Sequence, residues 1–154
     1  MKFSTEQVVA SPCEDVFAAL TDFARFEREA RAHGAEIHRT DTLTRPGQGM
    51  KWRAKFETRG RERELFAEVA RMNDPRDLYF VGKIGGMEGE LEFILTPNGD
   101  HETKLAVELN LRARSITAKL LLQSLKLARS NVAKRFRRRV KAFCRETEKQ
   151  VAYA

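Results

Sequence analysis

Two hydrophobic periods divide this chain, one of two residues and one of three to four. Phe3 to Ala10 is a short alternating run that includes Val8 and Val9 and predicts a first strand. Ser11-Pro12-Cys13-Glu14 reads as a helix start, with Ser11 as cap, Pro12 at the first helical position and Glu14 closing a capping box. Val16, Phe17 and Leu20 give that helix its apolar face. Thr21-Asp22 opens a second short helix carrying Phe23 and Phe26, and Gly34 ends it as a left-handed cap. From Ala35 to Arg112 the period is two. Met50, Trp52, Ala54 and Phe56 alternate with Lys51, Arg53, Lys55 and Glu57. Leu65, Ala67 and Val69 oppose Glu64, Phe66 and Glu68, and Leu78 to Gly82 forms a short apolar strand. Met87, Gly89, Leu91, Phe93 and Leu95 oppose Glu88, Glu90 and Glu92, and Leu105, Val107, Leu109 and Leu111 complete the series. The turns at Thr58-Arg59-Gly60, Asp74-Pro75 and Pro97-Asn98-Gly99-Asp100 keep every connection short, so about six antiparallel strands follow the two helices.

From Ser115 the helical period returns and lasts nearly forty residues. Ala118, Leu121, Leu125, Ala128, Val132, Phe136, Val140 and Phe143 form one stripe, and no Gly or Pro interrupts it. A single helix beginning near Ser115 is therefore expected, with its stripe buried on the concave face of the sheet. The prediction is an α+β domain spanning residues 1–154, ordered β-α-α-β6-α. Its curved antiparallel sheet has seven strands in the order 1-7-6-5-4-3-2.

Composition narrows the class. Apolar residues make up 42% of the 154 and charged residues 33%, which suits a globular domain and argues against disorder. No uninterrupted apolar run approaches the length of a membrane span. The first residues hold no apolar leader segment, and the only cysteines are Cys13 and Cys144. Both features point to a reducing cytoplasm with the thiols acting as small buried hydrophobes. The net charge of +7 is uneven, with thirteen Lys or Arg against two Glu between Arg112 and Lys149. Such a helix invites an anionic partner.

The order of elements resembles the helix-grip superfamily that holds START-type lipid-transfer domains, birch-pollen allergens and bacterial polyketide cyclase/dehydrase-like proteins, the START/SRPBCC group. The carriers are the strand followed by SPCEDVFAALTDF, the RGRERE strand after a Trp-containing strand, and the terminal run LLQSLKLARSNVAKRFRRRVKAF. This resemblance implies a cavity between sheet and terminal helix, and with it the binding or transport of a hydrophobic small molecule or lipid. It equally admits a cyclase/dehydrase-like enzyme using the same cavity. Inward parity nominates Trp52, Phe56, Leu65, Met87, Leu91, Phe93, Val107 and Leu109 as lining, faced by Leu125, Val132 and Phe136. The same stripes would also fill a solid core. Arg63 shares parity with Leu65, which lets a guanidinium reach a carboxylate or phosphate at the mouth.

No catalytic constellation, metal site or cofactor motif is predicted. His33, His38 and His101 lack ligand spacing, and GKIGG lacks the spacing of a phosphate loop. The cluster Lys134, Arg135, Arg137, Arg138, Arg139 and Lys141 is a candidate surface for an anionic membrane or nucleic acid. Ile116, Leu120 and Leu127 project away from the buried stripe, a place for a neighbouring loop, a second subunit in a homodimer, or lipid.

Overall fold

The computed structural model describes residues 1–152 and begins with β1 (Lys2–Val9), which leads through two short helices, α1 (Cys13–Leu20) and α2 (Phe23–Ala32). Six further strands follow: β2 (Glu36–Arg39), β3 (Lys51–Thr58), β4 (Arg61–Asn73), β5 (Asp77–Ile84), β6 (Met87–Pro97) and β7 (Thr103–Ala113). They form one antiparallel sheet in the expected order β1-β7-β6-β5-β4-β3-β2, with short turns joining β3 through β7 and a longer loop, residues 40–50, between β2 and β3. Arg59 and Gly60 both take positive φ, so the β3–β4 link is a two-residue turn whose twist matches the flanking strands. An irregularity between Val69 and Arg71 in β4 adds to the bend of the sheet.

Helix termini follow the sequence signals in part. Asp22 caps α2 by accepting from the Arg25 N–H. At the other end Gly34 at φ 93° closes a Schellman motif, with the Ala35 N–H on the Ala30 carbonyl and the Gly34 N–H on the Arg31 carbonyl. Ser11 does not cap α1. Pro12 is the cap residue and makes no side-chain cap bond. The Ser11 hydroxyl instead donates to the Ala10 carbonyl, while its own carbonyl accepts from Thr103 Oγ1 at 2.7 Å.

The expected single terminal helix is two. α3 (Ile116–Leu127) and α4 (Arg129–Ala152) meet at Ala128, where the backbone turns to φ −99° and ψ 17°. The order is thus β-α-α-β6-α-α, with α4 as the long C-terminal helix. The bend lies between two anchors. Upstream, Ser115 caps α3 by accepting from the Ala118 N–H, and its side chain occupies the space beside Gly86 in the β5–β6 turn. Downstream, Arg129 donates to the Lys2 carbonyl and lies over the Phe3 ring at 5.3 Å, and Phe136 stacks near Phe3 at 6.3 Å. At the joint, Ser124 Oγ bonds back to the Leu120 carbonyl, an interaction that bends helices. In consequence only Ala118 of α3 is fully buried, and Leu121 and Ala128 of the expected stripe are exposed.

The buried core is concentrated at one end of the sheet. Val69, Leu78, Leu95, Leu105 and Val107 meet Val16, Phe17 and Leu20 of α1 and Val140 and Cys144 of α4. Arg145 donates to the Val8 carbonyl, and Glu148 accepts from the Ala10 N–H, which pins the end of α4 to β1. Arg25 of α2 pairs with Glu146 of α4. Among the described residues no helix is long and apolar enough to cross a membrane.

Phe136 joins this core from α4. Phe136→Asp removes the ring against Phe3 and places a charge there, so unfolding free energy should fall by about 3 kcal/mol or more in chemical denaturation. A change below about 1 kcal/mol would mean that α4 does not depend on this contact.

Candidate functional site

Three rows of side chains cross the concave face beyond the filled core. One runs Phe3, Leu109, Leu91, Phe80 and Val69 from β1 to β4. Another runs Ala113, Met87, Ile84, Leu65, Ala54 and Ile37 from β7 to β2. Between them lies the row Leu111, Gly89, Gly82, Ala67 and Trp52, whose three central positions carry at most a methyl group. A Cβ at Gly82 would stand 2.9 Å from the Phe66 carbonyl oxygen, so the close approach of β4 and β5 itself demands glycine. Gly89 is less constrained, since its Cβ would meet Leu111 Cδ2 at 3.4 Å. The missing side chains leave a trough across the floor of the sheet.

Two adjoining cavities occupy this trough. The first, about 350 Å³, lies under α2, which contributes Phe23, Phe26, Glu27 and Ala30. Its other walls are Leu20, Ile37, Trp52, Ala54, Leu65, Ala67, Phe80, Leu91 and Phe93. The second, about 320 Å³, extends toward the β5–β6 turn along Ile84, Met87, Gly89, Leu109 and Leu111. They share Leu65, Ala67, Phe80 and Leu91 as common walls. Glu27 is the one charged residue of the first cavity, lying 3.7 Å from Arg31, and Lys83 and Glu90 border the second.

The aromatic wall is a connected cluster. Phe23 lies 5.2 Å from Trp52 and 6.2 Å from Phe80, and Phe80 lies 6.2 Å from Phe93. Trp52 is flanked by its cross-strand partner Arg39, whose guanidinium lies over the ring at 5.8 Å. Arg39 in turn forms a bidentate pair with Asp41. That hydrogen bond, aided by the N–H groups of Lys51 and Leu43, holds the Asp41 carboxyl well below the usual carboxylate range. The electrostatic lock therefore sits outside the cavity and supports its wall.

The residues nominated from parity fall into several places. Trp52, Leu65, Leu91 and Phe93 line the first cavity, and Leu65, Met87, Leu91 and Leu109 the second. Val107 is buried in the filled core, and Phe136 packs against that core. Phe56, Arg63, Leu125 and Val132 are not lining residues of either cavity. Arg63 pairs with Phe56 across β3 and β4, and its Nε is buried without a hydrogen-bond partner. Sequence reasoning did not nominate Phe23, Phe26, Ile37, Ala67 or Phe80. The signal for α2 was present in the Phe23/Phe26 spacing, but nothing local said which part of the sheet that face would cover.

No family model matches the sequence, and no curated protein matches it. Solved structures do. An aromatase/cyclase, Zhui, from Streptomyces sp. R1128 superposes with a TM-score of 0.69 at 14% identity, covering 98% of this chain and 95% of that one. Norcoclaurine synthase from Thalictrum flavum gives 0.67 at 10% identity over 100% and 87%. A START superfamily protein from Mycobacterium smegmatis gives 0.56 at 17% identity over 87% and 95%. The fold is thus the helix-grip fold that these solved structures share, as the order of elements in the sequence implied.

Among the described residues no three metal-ligating side chains cluster. Both cysteines are buried, and burial pushes the Cys144 thiol up to about 11. At pH 8 only about one thiol in a thousand would be ionised at that value, so Cys144 should resist iodoacetamide in the native protein. Mass spectrometry should find Cys144 alkylated only after denaturation, and rapid native labelling would contradict its burial.

Proposed function

We propose that this protein binds a hydrophobic small molecule or lipid in the paired cavities of the concave face, the first beneath α2 and the second along β4 to β7, rather than between the sheet and the terminal helix. The observation that carries this reading is the trough itself. Ala67, Gly82 and Gly89 withhold side chains between two apolar rows, so space remains where a filled core would place leucines. An apolar ligand would gain by leaving water and lose little, because the walls present few polar groups to desolvate. The superposition on a START superfamily protein and on two enzymes supports the reading at the level of fold.

Trp52 is the only tryptophan in the chain and lies in the wall of the first cavity, so its fluorescence reports occupancy. Titration with the neutral probe N-phenyl-1-naphthylamine should quench it saturably, and salt should hardly alter the affinity because burial of apolar area drives the process. Ala67→Leu extends a side chain into the wall common to both cavities. It should weaken the probe by about tenfold or more, equivalent to about 1.4 kcal/mol. The absence of saturable quenching in the wild type, or an unchanged affinity in the folded variant, would count against the pocket.

A cyclase-type enzyme remains the second reading, and Glu27 is the observation that favours it. Its carboxylate is the acid or base that such a reaction in the first cavity would draw on. Glu27→Gln preserves volume and removes the charge. A simple binder should keep its probe affinity within about threefold, less than about 1 kcal/mol. A much larger loss would show that the carboxylate, through itself or its pairing with Arg31, shapes the bound state.

A further inference from the structure

The outer face of α3 is unlike the rest of the surface. Ile116 is 79% exposed, Leu120 61% and Leu127 92%. At 100° per residue these three fall within one narrow sector of the helix, while Ala118, Leu122 and Leu125 face the body of the protein and are buried or half-buried. Three large aliphatic side chains in line and in water cost solvation energy with no return inside this chain. Lys119 and Lys126 stand beside them, one residue before Leu120 and Leu127.

The charge along this stretch of the chain has one sign. No Asp or Glu occurs between Arg112 and Arg145, and twelve Lys or Arg do. Among the described residues, Lys119, Lys126 and the six basic residues from Lys134 to Lys141 form no ion pair. The partner must therefore be apolar and anionic at once. A second copy docked on this face would bring a like-charged helix against it. Nucleic acid would satisfy the charge but has no use for three exposed aliphatic side chains. An anionic bilayer satisfies both, because leucines enter the headgroup boundary while lysines remain at the phosphates.

We propose that α3 is a docking helix that seats the protein on an anionic lipid surface, with Ile116, Leu120 and Leu127 inserted and Lys119 and Lys126 at the headgroups. The inference goes beyond the ligand reading and does not depend on it. It does give the position of α3 a consequence. Ser115, at the start of α3, fills the space beside Gly86, and the strands joined by that turn supply Ile84 and Met87 to the second cavity. The lipid-facing helix and one end of the trough are neighbours.

The test is flotation of the full chain with vesicles of phosphatidylcholine alone and of phosphatidylcholine with phosphatidylglycerol. Binding is expected only to the anionic vesicles. L120S/L127S should reduce it about tenfold or more and K119E/K126E by a similar factor, with circular dichroism and melting unchanged because all four side chains lie outside the core. Anionic-vesicle binding that survives L120S/L127S would overturn the proposal, since adsorption through the α4 charges alone needs no leucines. Failure to bind anionic vesicles would overturn it too. So would a concentration-dependent dimer in light scattering that L120S/L127S abolishes, because a second copy would then be the occupant.

Discussion

The concave face of the sheet is apolar from Phe3 on β1 to Ile37 on β2, and no single helix is wide enough to cover it. Everything else in the structure answers to that demand. The C-terminal half of α4 and α1 close one end around Val69, Leu78 and Leu105, where packing is complete. α2 stands over the other end at Ala67, and beside it Gly82 and Gly89 leave the floor low. The same exclusion of water that stabilises the filled end creates an apolar trough at the unfilled one.

This division assigns different duties to neighbouring side chains. Phe136 and Val107 contribute to cohesion, whereas Trp52, Phe80, Leu91 and Phe93 contribute walls. Trp52 does both, since Phe23 and Arg39 brace it from two directions. Arg39 and Asp41 are not lining residues, so their charges stiffen the wall without entering the cavity. Glu27 is the exception, a carboxylate among otherwise apolar walls.

The bend at Ala128 separates two surfaces with different chemistry. Below it, α4 is committed to β1 through Phe3 and Phe136. Above it, α3 is held at its start by the Gly86–Ser115 contact and by Ala118, and its opposite face is free. A straight helix would have to leave one of these anchors. The bend satisfies both and leaves Leu127, beside the joint, in water.

Much of this was legible in the residues. Alternation in Trp52–Phe56, Met87–Leu95 and Leu105–Leu111 determined the strands, and turns such as Arg59-Gly60 admitted only hairpins, which sets the order of neighbouring strands but not the pairing of β1 with β7. Gly34 and Asp22 marked the ends of α2 because caps are local chemistry. The break at Ala128 had only a weak local signal, the Ser124 hydroxyl, because neither Gly nor Pro stands there and the two anchors that flank it lie far apart in the chain. The place of α2 over the trough was equally hidden. Which stripe meets which part of a curved sheet depends on curvature, and curvature arises from pairings such as Gly82 with Gly89 that lie far apart from α2 in the chain. Period and parity decide which way a side chain points. Whether it meets another side chain or a space is decided only when strands and helices from the whole chain come together.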